Sequence, residues 1–185
     1  MSDPTDLELM IDVKDGDVGK LALLFERHHP RIFHFCNRMT GNRAVSEDLV
    51  QEVFMRVLKY RETFRGDSAF LPWLYRMAHN ACIDHFRRSG REPLPQDELP
   101  EPESGAPSAA DRVELDEELR LLRRALGRLP VDKREVLVLS RYEQRKYSEI
   151  AELLGCSVGA VKVRVHRALR QLRDIYFEIS SEAAS

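Results

Sequence analysis

The chain of 185 residues carries 29 Lys and Arg against 31 Asp and Glu, which gives a net charge of −2 at pH 7. This length fits one domain or two small ones, and the hydrophobic content of 43% is enough to form cores. No apolar run reaches the ~18 residues that would span a bilayer, and the acidic first residues argue against a secretory signal. The three cysteines, Cys36, Cys82 and Cys156, are far apart, which argues against a disulfide framework and favours a reducing cytoplasm.

Apolar residues at helical spacing predict two helices in the first part of the chain. The first pattern comprises Leu21, Leu24, Phe25, His28, Ile32 and Phe35, and the second comprises Leu49, Val50, Val53, Phe54, Val57 and Leu58. Asn42 is placed to cap the second helix. A third helix is predicted over residues 71–88, where Pro72 falls in the first turn and its missing N–H costs nothing.

Residues 92–112 form a predicted linker. From Glu92 to Glu118 ten acids stand against Arg112 alone, and residues 91–112 hold five of the nine prolines of the chain. Like charges and prolines keep such a segment extended and prevent it from burying apolar surface. The acids fit two interpretations, a solvated connection or a mimic of nucleic acid that occupies a basic channel in a partner. The predicted organisation is a domain over 1–91, the linker over 92–112, a second domain over 113–178 and a tail over 179–185.

The second domain is also predicted to be helical. Leu115, Leu119, Leu122 and Leu126 predict a helix that stops near Pro130, and residues 132–143 predict the next one. No segment of the chain shows the alternation of a strand or the signal of a hairpin. We therefore predict an all-α fold with two small helical domains joined by a flexible acidic linker.

The sequence from Tyr147 onward predicts a helix, a tight turn and a second helix. Ile150, Ala151 and Leu154 form the inner face of the first helix, and the small Ala151 allows a close crossing. Gly155 is expected to end that helix in the left-handed conformation. Ser157 is expected to cap the next helix. This spacing is typical of a helix-turn-helix, whose second helix enters the major groove of DNA.

The second helix of this motif is predicted to have one buried stripe and one basic face. At about 100° per residue, the apolar residues fall within one arc, and these are Val158, Val161, Val165, Ala168, Leu169 and Leu172. Residues 153–173 contain five Lys and Arg and no acid, although the whole chain is slightly acidic. Such a face can neutralise phosphates, whereas an acid there would repel the DNA backbone. The alternative is a solvated amphipathic helix that is basic without a partner.

Four segments of the chain resemble extracytoplasmic-function sigma factors of the sigma-70 family. They are "EDLVQEVFMRV", "FRGDSAFLPWLYRMAHNACIDHFRR", "LPVDKREVLVLSRYE" and "YSEIAELLGCSVGAVKVRVHRAL", in the order of the family. The resemblance implies a protein that binds core RNA polymerase, directs it to specific promoters and assists promoter opening. It also implies an anti-sigma factor as a partner and a stress as the inducing signal, with no catalytic role, no cofactor and no small-molecule substrate.

The resemblance assigns roles to residues of the first domain. Asp48, Gln51 and Glu52 match the helix that docks on the polymerase. The residues that match the part reading and melting the −10 element are Phe64, Gly66, Ser68, Trp73, Arg76, Asn80 and Arg87. Phe64 and Phe70 are expected to wall a pocket for a flipped base, whose extrusion costs a few kcal/mol of stacking. Tyr75 also suits stacking on a single strand, although Trp73 and Tyr75 also fit a core.

The resemblance likewise assigns −35 recognition to the second domain. The matching positions are Ser157, Gly159, Lys162, Val163, Arg164 and Arg167. Val163 stands where a small or polar residue is common, so its base preference can turn towards a thymine methyl. Ala160 and Pro72 also differ from the residues that the family usually has at these positions. Lys146 stands where Ser or Thr usually caps the first helix, so only the Glu149 half of a capping box remains.

Two other functions fit parts of the sequence. An ordinary helix-turn-helix regulator would explain the second domain alone and would leave the first-domain segments unexplained. A metalloenzyme would use His79, Cys82 and His85, but on a helix these side chains spread over roughly 120° and converge poorly on one ion. We therefore predict no metal site and no enzymatic activity.

Overall fold

The computed structural model of the chain describes residues 3–66, 69–90 and 109–183, and the side chains of 109–116 and 183 are outside the description. Within these ranges the chain forms eight α-helices with short 3-10 and π turns and contains no strand, which confirms the all-α prediction. The helices are α1 (Asp6–Lys14), α2 (Leu21–Thr40), α3 (Arg43–Lys59), α4 (Phe70–Ser89), α5 (Ala109–Arg128), α6 (Val131–Leu137), α7 (Tyr147–Leu154) and α8 (Val158–Ala183). None of the described helices is long and apolar enough to cross a membrane.

The chain divides into two compact units. Unit 1 comprises Met1–Arg38 and Ala44–Gly90, and unit 2 comprises Met39–Arg43 and Arg91–Ser185. The larger part of the predicted linker, residues 92–108, lies outside the described residues, so the two interpretations of its acids stay predictions. Helix α5 begins at Ala109, so the last residues of the predicted linker are helical, and α8 continues through most of the predicted tail.

The core of unit 1 is built from the apolar stripes of α2, α3 and α4. The spacing of these side chains turns one face of each helix inward, where burial removes them from water. The buried members include Leu24, Ile32, Phe35, Leu49, Val53, Val57, Leu74, Ala78 and Ala81. Pro72 is the third residue of α4 and lies in its first turn, as the sequence predicted. Asn42 directly precedes α3, and its role as the cap of that helix stays a prediction.

Helix α1 was not predicted. It begins with a complete capping box, in which the Glu8 N–H donates to Thr5 Oγ1 at 3.3 Å and the Thr5 N–H donates to Glu8 Oε2 at 2.7 Å. The hydrogen bonds from the backbone and the hydroxyl of Thr5 lower the pKa of Glu8. The signal was present in the sequence as Thr5 followed three residues later by Glu8.

Helix α8 lies at the centre of unit 2 and packs against α5, α6 and α7. Its buried residues are Val161, Val165, Ala168 and Ile179. The predicted stripe was too wide, because Val158 and Leu169 are 40% and 36% exposed. Val158 lies in the first turn, at one edge of the stripe, and Leu169 lines an apolar groove between α5 and α8 that remains open to solvent.

Arg134 of α6 is buried in unit 2, which the sequence did not predict. Its side chain is 1% exposed. The guanidinium donates to the carbonyl oxygens of Leu126 at 2.9 Å and Leu129 at 2.8 Å, and also to that of Gly127. The last carbonyls of a helix have no partner within the helix, and the positive charge complements the helix dipole. Arg134 therefore caps the C-terminal end of α5.

Candidate nucleic-acid interface

The turn between α7 and α8 has the local geometry that the sequence predicted. Gly155 ends α7 in the left-handed region with φ 62° and ψ 38°. The N–H of Cys156 donates to the Ala151 carbonyl at 3.0 Å, which satisfies a carbonyl left over at the helix end. Ser157 Oγ then accepts from the N–H of Ala160 at 3.1 Å and caps α8. The helix-turn-helix is therefore confirmed.

The start of α7 is capped by half a capping box. The N–H of Lys146 donates to Glu149 Oε2 at 2.9 Å. The Lys146 ammonium has no acceptor atom, so it cannot receive a hydrogen bond from the backbone of the first turn. The predicted loss of one half of the box is thus borne out by the geometry.

The outward face of α8 carries all the positions that were assigned to the −35 element. All six side chains or positions are exposed, namely Ser157, Gly159, Lys162, Val163, Arg164 and Arg167. Ser157 also uses its hydroxyl oxygen to cap the helix. Gly159, Val163 and Arg167 follow at intervals of four residues and therefore form one row along the helix. This row lies opposite the buried row of Val161 and Val165. The helix can therefore place it against another molecule.

Basic residues flank this row. At about 100° per residue, Lys162 and Arg164 fall on opposite sides of it. Among the residues that the structure describes, neither these two nor Arg167 makes an ion pair. The first acid after the basic stretch, Asp174, pairs with Arg173 at 2.9 Å. The face thus presents positive charge on both sides of a row that begins with the uncharged Gly159 and Val163, which suits a groove lined by two phosphate backbones.

In unit 1, α4 brings four of the predicted −10 residues onto one face. Trp73, Arg76, Asn80 and Arg87 fall within about 60° of each other around the helix axis. Arg76, Asn80 and Arg87 are exposed, and Trp73 is half-buried. Over the roughly 21 Å between the first and the last, α4 therefore offers an aromatic ring, an amide and two guanidinium groups in a line. Such a combination suits base stacking and contact with a single-stranded backbone.

Phe64 and Phe70 do not form open walls of a pocket in this structure. They are 1% and 2% exposed, and their rings lie 6.2 Å apart. Trp73 contacts both, edge to face with Phe64 at 5.3 Å. Gly66 is exposed, and Ser68 lies outside the described residues. The rings of Phe64, Phe70 and Trp73 therefore pack against one another, and a direct contact of Phe64 with DNA stays a prediction.

Tyr75 was expected to suit stacking on a single strand or to lie in the core, and the structure places it in the core. It is 2% exposed, and its ring lies edge to face with Phe35 of α2 at 5.6 Å. Tyr75 and Trp73 are two residues apart and therefore point in different directions from α4. Only Trp73 lies on the face of Asn80.

The three positions assigned to polymerase binding differ in their surroundings. Asp48 and Gln51 are exposed on α3. Glu52 is half-buried and forms ion pairs with Arg56 on its own helix and with Arg88 of α4, the latter at 3.1 Å. Arg56 also reaches Asp84 of α4 at 2.8 Å. Glu52 therefore belongs to a network that joins α3 to α4.

The network changes the acidity of its members. Partial burial alone would raise the pKa of Glu52, but the hydrogen bonds and charges of Arg56 and Arg88 outweigh it and lower that pKa. For Arg56, burial would lower the pKa, and its bonds to Asp84 and Glu52 raise it instead. Sequence reasoning missed Arg56 and Asp84. The spacing of four residues between Glu52 and Arg56 was a usable signal for the first pair.

The suggested metal ligands do not come together in one site. Cys82 is fully buried, whereas His79 and His85 are half-buried. In the described ranges of the chain, no group of three or more His, Cys, Asp or Glu side chains is placed to hold a metal ion. Cys36, Cys82 and Cys156 are not in a disulfide, and Cys82 Sγ lies 3.9 Å from Cys36 Sγ.

Comparison with known proteins agrees with this architecture. Residues 24–92 match the family model of sigma-70 region 2, and residues 119–172 match that of sigma-70 region 4. The RNA polymerase sigma factor CarQ of Myxococcus xanthus is 35% identical over 92% of this chain and 97% of its own length. The ECF RNA polymerase sigma-E factor of Escherichia coli K12 is 35% identical over 89% of this chain and 90% of its own.

A solved structure is similar as well. The sigma factor RpoE of Bartonella quintana, in complex with the anti-sigma factor NepR, superposes with a TM-score of 0.63. The identity is 25%, over 83% of this chain and 94% of that one. With the helix-turn-helix of unit 2 and the α3–α4 pair of unit 1, these similarities show that the chain belongs to the extracytoplasmic-function RNA polymerase sigma factors of the sigma-70 family.

Proposed function

We propose that this sigma factor directs core RNA polymerase to promoters in which its two units read different elements. The observation that carries the proposal is the exposed face of α8, where Arg167, Lys162 and Arg164 surround Val163 and residues 153–173 contain no acid. An α-helix with such a face fits the major groove, where an Arg can contact guanine through two hydrogen bonds. The second predicted domain, over 113–178, is thereby the proposed reader of the −35 element in duplex form.

Unit 1, predicted over 1–91, is proposed to read the −10 element after the strands separate. The exposed line of Arg76, Asn80 and Arg87 on α4, with Trp73 at its start, supports this role. An amide such as that of Asn80 can read the edge of an unpaired base, and Trp73 can stack on one. Gly66 and Ser68 would let the backbone approach a flipped base.

Polymerase binding is proposed for the exposed side of α3. Asp48 and Gln51 supply polar groups there, and Glu52 supplies a carboxylate that already has internal partners. Met55 is 65% exposed on the same helix and adds apolar area to this surface. An acidic and partly apolar helix face is well suited to a basic partner surface.

Regulation by an anti-sigma factor is proposed from the similar Bartonella quintana complex. Such a partner would cover surfaces that the polymerase needs. A cytoplasmic location follows from this role, since the polymerase and the promoters are there.

Run-off transcription on a promoter library tests the proposal. Purified chain is added to core polymerase, and the transcript starts are sequenced. We expect starts that share one two-part motif upstream, and Arg167→Ala should change the upstream part of that motif. Arg173→Ala is the matched control, because Arg173 lies on the same helix but pairs with Asp174.

Two results would contradict the proposal. Binding to duplex DNA without any start above the level of core polymerase alone would identify a plain helix-turn-helix regulator. An identical motif for Arg167→Ala and the unchanged chain would remove α8 from promoter recognition.

A further inference from the structure

Helix α1 lies outside the segment that matches region 2, yet it contacts the segment between α3 and α4. Lys14, the last residue of α1, donates from Nζ to the carbonyl oxygen of Phe64 at 3.0 Å. Ile11 lies one turn earlier, and its Cδ1 is 3.9 Å from the position that a Cβ on Gly66 would occupy. The C-terminal end of α1 therefore bonds to Phe64, and its Ile11 borders the space beside Gly66.

The N-terminal end of α1 is fixed to α2. Asp6 accepts a hydrogen bond from Arg27 at 3.2 Å and pairs with His28 Nε2 at 2.7 Å. The ring of His28 lies 5.5 Å from that of Phe70, the first residue of α4. Between its two ends, α1 buries the side chains of Leu9, Met10 and Val13 completely. Helix α1 is thus held at both ends: it bonds to Phe64 directly and is linked to Phe70 only through His28 of α2.

The contacts of Phe64 show what this arrangement can do. The Phe64 N–H donates to the Arg61 carbonyl at 3.1 Å, and its ring packs against Trp73 and Phe70. The remaining polar group of the Phe64 backbone, its carbonyl oxygen, accepts the hydrogen bond from Lys14. A part-buried carbonyl that loses its donor must find another partner or turn towards water, and the peptide to Arg65 would turn with it. Lys14 therefore sets the direction in which the chain leaves Phe64.

We infer that α1 is a positioning element for the segment from Phe64 to Gly66, with Lys14 as its main residue. The inference rests on the proposed function, because it takes this segment to meet single-stranded DNA of the −10 element. Lys14 acts through the Phe64 carbonyl and touches no DNA. A segment that is already ordered binds more tightly, because its conformational entropy is lost on folding and not on binding.

The first test measures DNA affinity in the holoenzyme. The probe is a fluorescent single-stranded oligonucleotide with the −10 sequence obtained from the transcription starts. Lys14→Met removes the donor and keeps the apolar stem, and it should weaken binding about 5-fold, the effect of one hydrogen bond. Lys14→Arg keeps a donor and should stay within about 2-fold of the unchanged chain.

Lys20→Met is the matched control, because Lys20 ends the 3-10 turn Val18–Lys20 and carries the same charge. It should leave the affinity for the oligonucleotide unchanged. Equal weakening by Lys14→Met and Lys20→Met would mean that only net charge matters and would overturn the inference. Unchanged affinity in Lys14→Met would overturn it as well.

The second test needs no DNA and no polymerase. Amide hydrogen exchange of the free chain should be several-fold faster around Phe64 in Lys14→Met, with the core amides of α2 unchanged. Unchanged exchange around Phe64 would overturn the inference whatever the DNA result. Failure of the unchanged holoenzyme to bind the oligonucleotide would instead contradict the proposed function, and the exchange experiment would still decide the role of α1.

Discussion

The two units place their charged side chains in different ways. In unit 2, the basic residues of α8 point outward, and residues 153–173 contain no acid that could pair with them. In unit 1, Arg56 and Arg88 are held by Glu52 and Asp84 across α3 and α4. Charge is thus kept available for a partner on α8 and bound within the protein between α3 and α4.

This difference matters for predicting function from sequence. A face without acids is a local property of one helix, and periodicity reveals it. An ion-pair network between α3 and α4 depends on how two helices pack, and neither helix shows it alone. Glu52 illustrates the point, since its motif suggests an external partner and the structure gives it two internal ones.

The largest effect is expected at Arg134, because this charged side chain of unit 2 is buried whereas the basic residues of α8 point outward. Arg134→Met leaves the final carbonyls of α5 without donors and should lower the free energy of unfolding by about 3 kcal/mol. Denaturation in urea, followed by circular dichroism, measures this. Arg141→Met removes the same charge from an exposed position and should cost less than about 0.5 kcal/mol. Equal costs for the two variants would refute the capping role.

The next effect tests the outward-facing groups of unit 1. Asp48→Lys with Gln51→Lys should weaken binding to core polymerase about 30-fold, because two repulsive charges replace polar contacts. These positions are chosen because a change at Glu52 would also break its pairs with Arg56 and Arg88. Affinity is measured by fluorescence with labelled core enzyme, and Glu62→Lys, at a 68% exposed side chain, is the control. An intact holoenzyme after both changes would exclude this surface.

A smaller effect, on the free energy of unfolding, is expected from a change at Glu52, whose charge is paired within unit 1. The lowered pKa of Glu52 means that the unfolded chain takes up a proton at a higher pH than the folded one, so ionised Glu52 stabilises the fold. Glu52→Gln should cost about 1 kcal/mol above pH ~5, and the difference should shrink as the pH falls through ~4 and below. Unfolding curves at several pH values measure it. A difference that does not depend on pH would contradict the ion-pair explanation.

The smallest effect concerns the centre of the α8 face. Val163 is 49% exposed and offers methyl groups that can contact a thymine methyl. Val163→Ala should reduce the preference for thymine at one −35 position about 3-fold, with the preferences at the other positions unchanged. Sequencing of transcript starts from the promoter library measures this. A preference that does not change would place Val163 away from the bases.

The sequence predicted the elements of both units where local rules decide them. Gly155, Ser157 and the buried stripe of Val161 and Val165 follow from turn chemistry and helical period. The edges of that stripe did not follow, because exposure of Leu169 depends on how closely α5 approaches α8.

Contacts between distant positions were the main omission. Arg134 could not be recognised as buried, since charged side chains are rarely buried and its partners are backbone carbonyls. Helix α1 was overlooked although Thr5 and Glu8 signalled its start. The burial of Phe64 and Phe70 depends on packing among three aromatic rings, which no local pattern specifies.

The most direct test of the division between the two units uses two DNA probes with one holoenzyme. A duplex carries the −35 element, and a single strand carries the −10 element. Arg167→Ala should weaken binding to the duplex about 10-fold and leave binding to the single strand unchanged. Asn80→Ala should weaken binding to the single strand and leave binding to the duplex unchanged. An equal loss of affinity for both probes in either variant would contradict the assignment of the two elements to separate units.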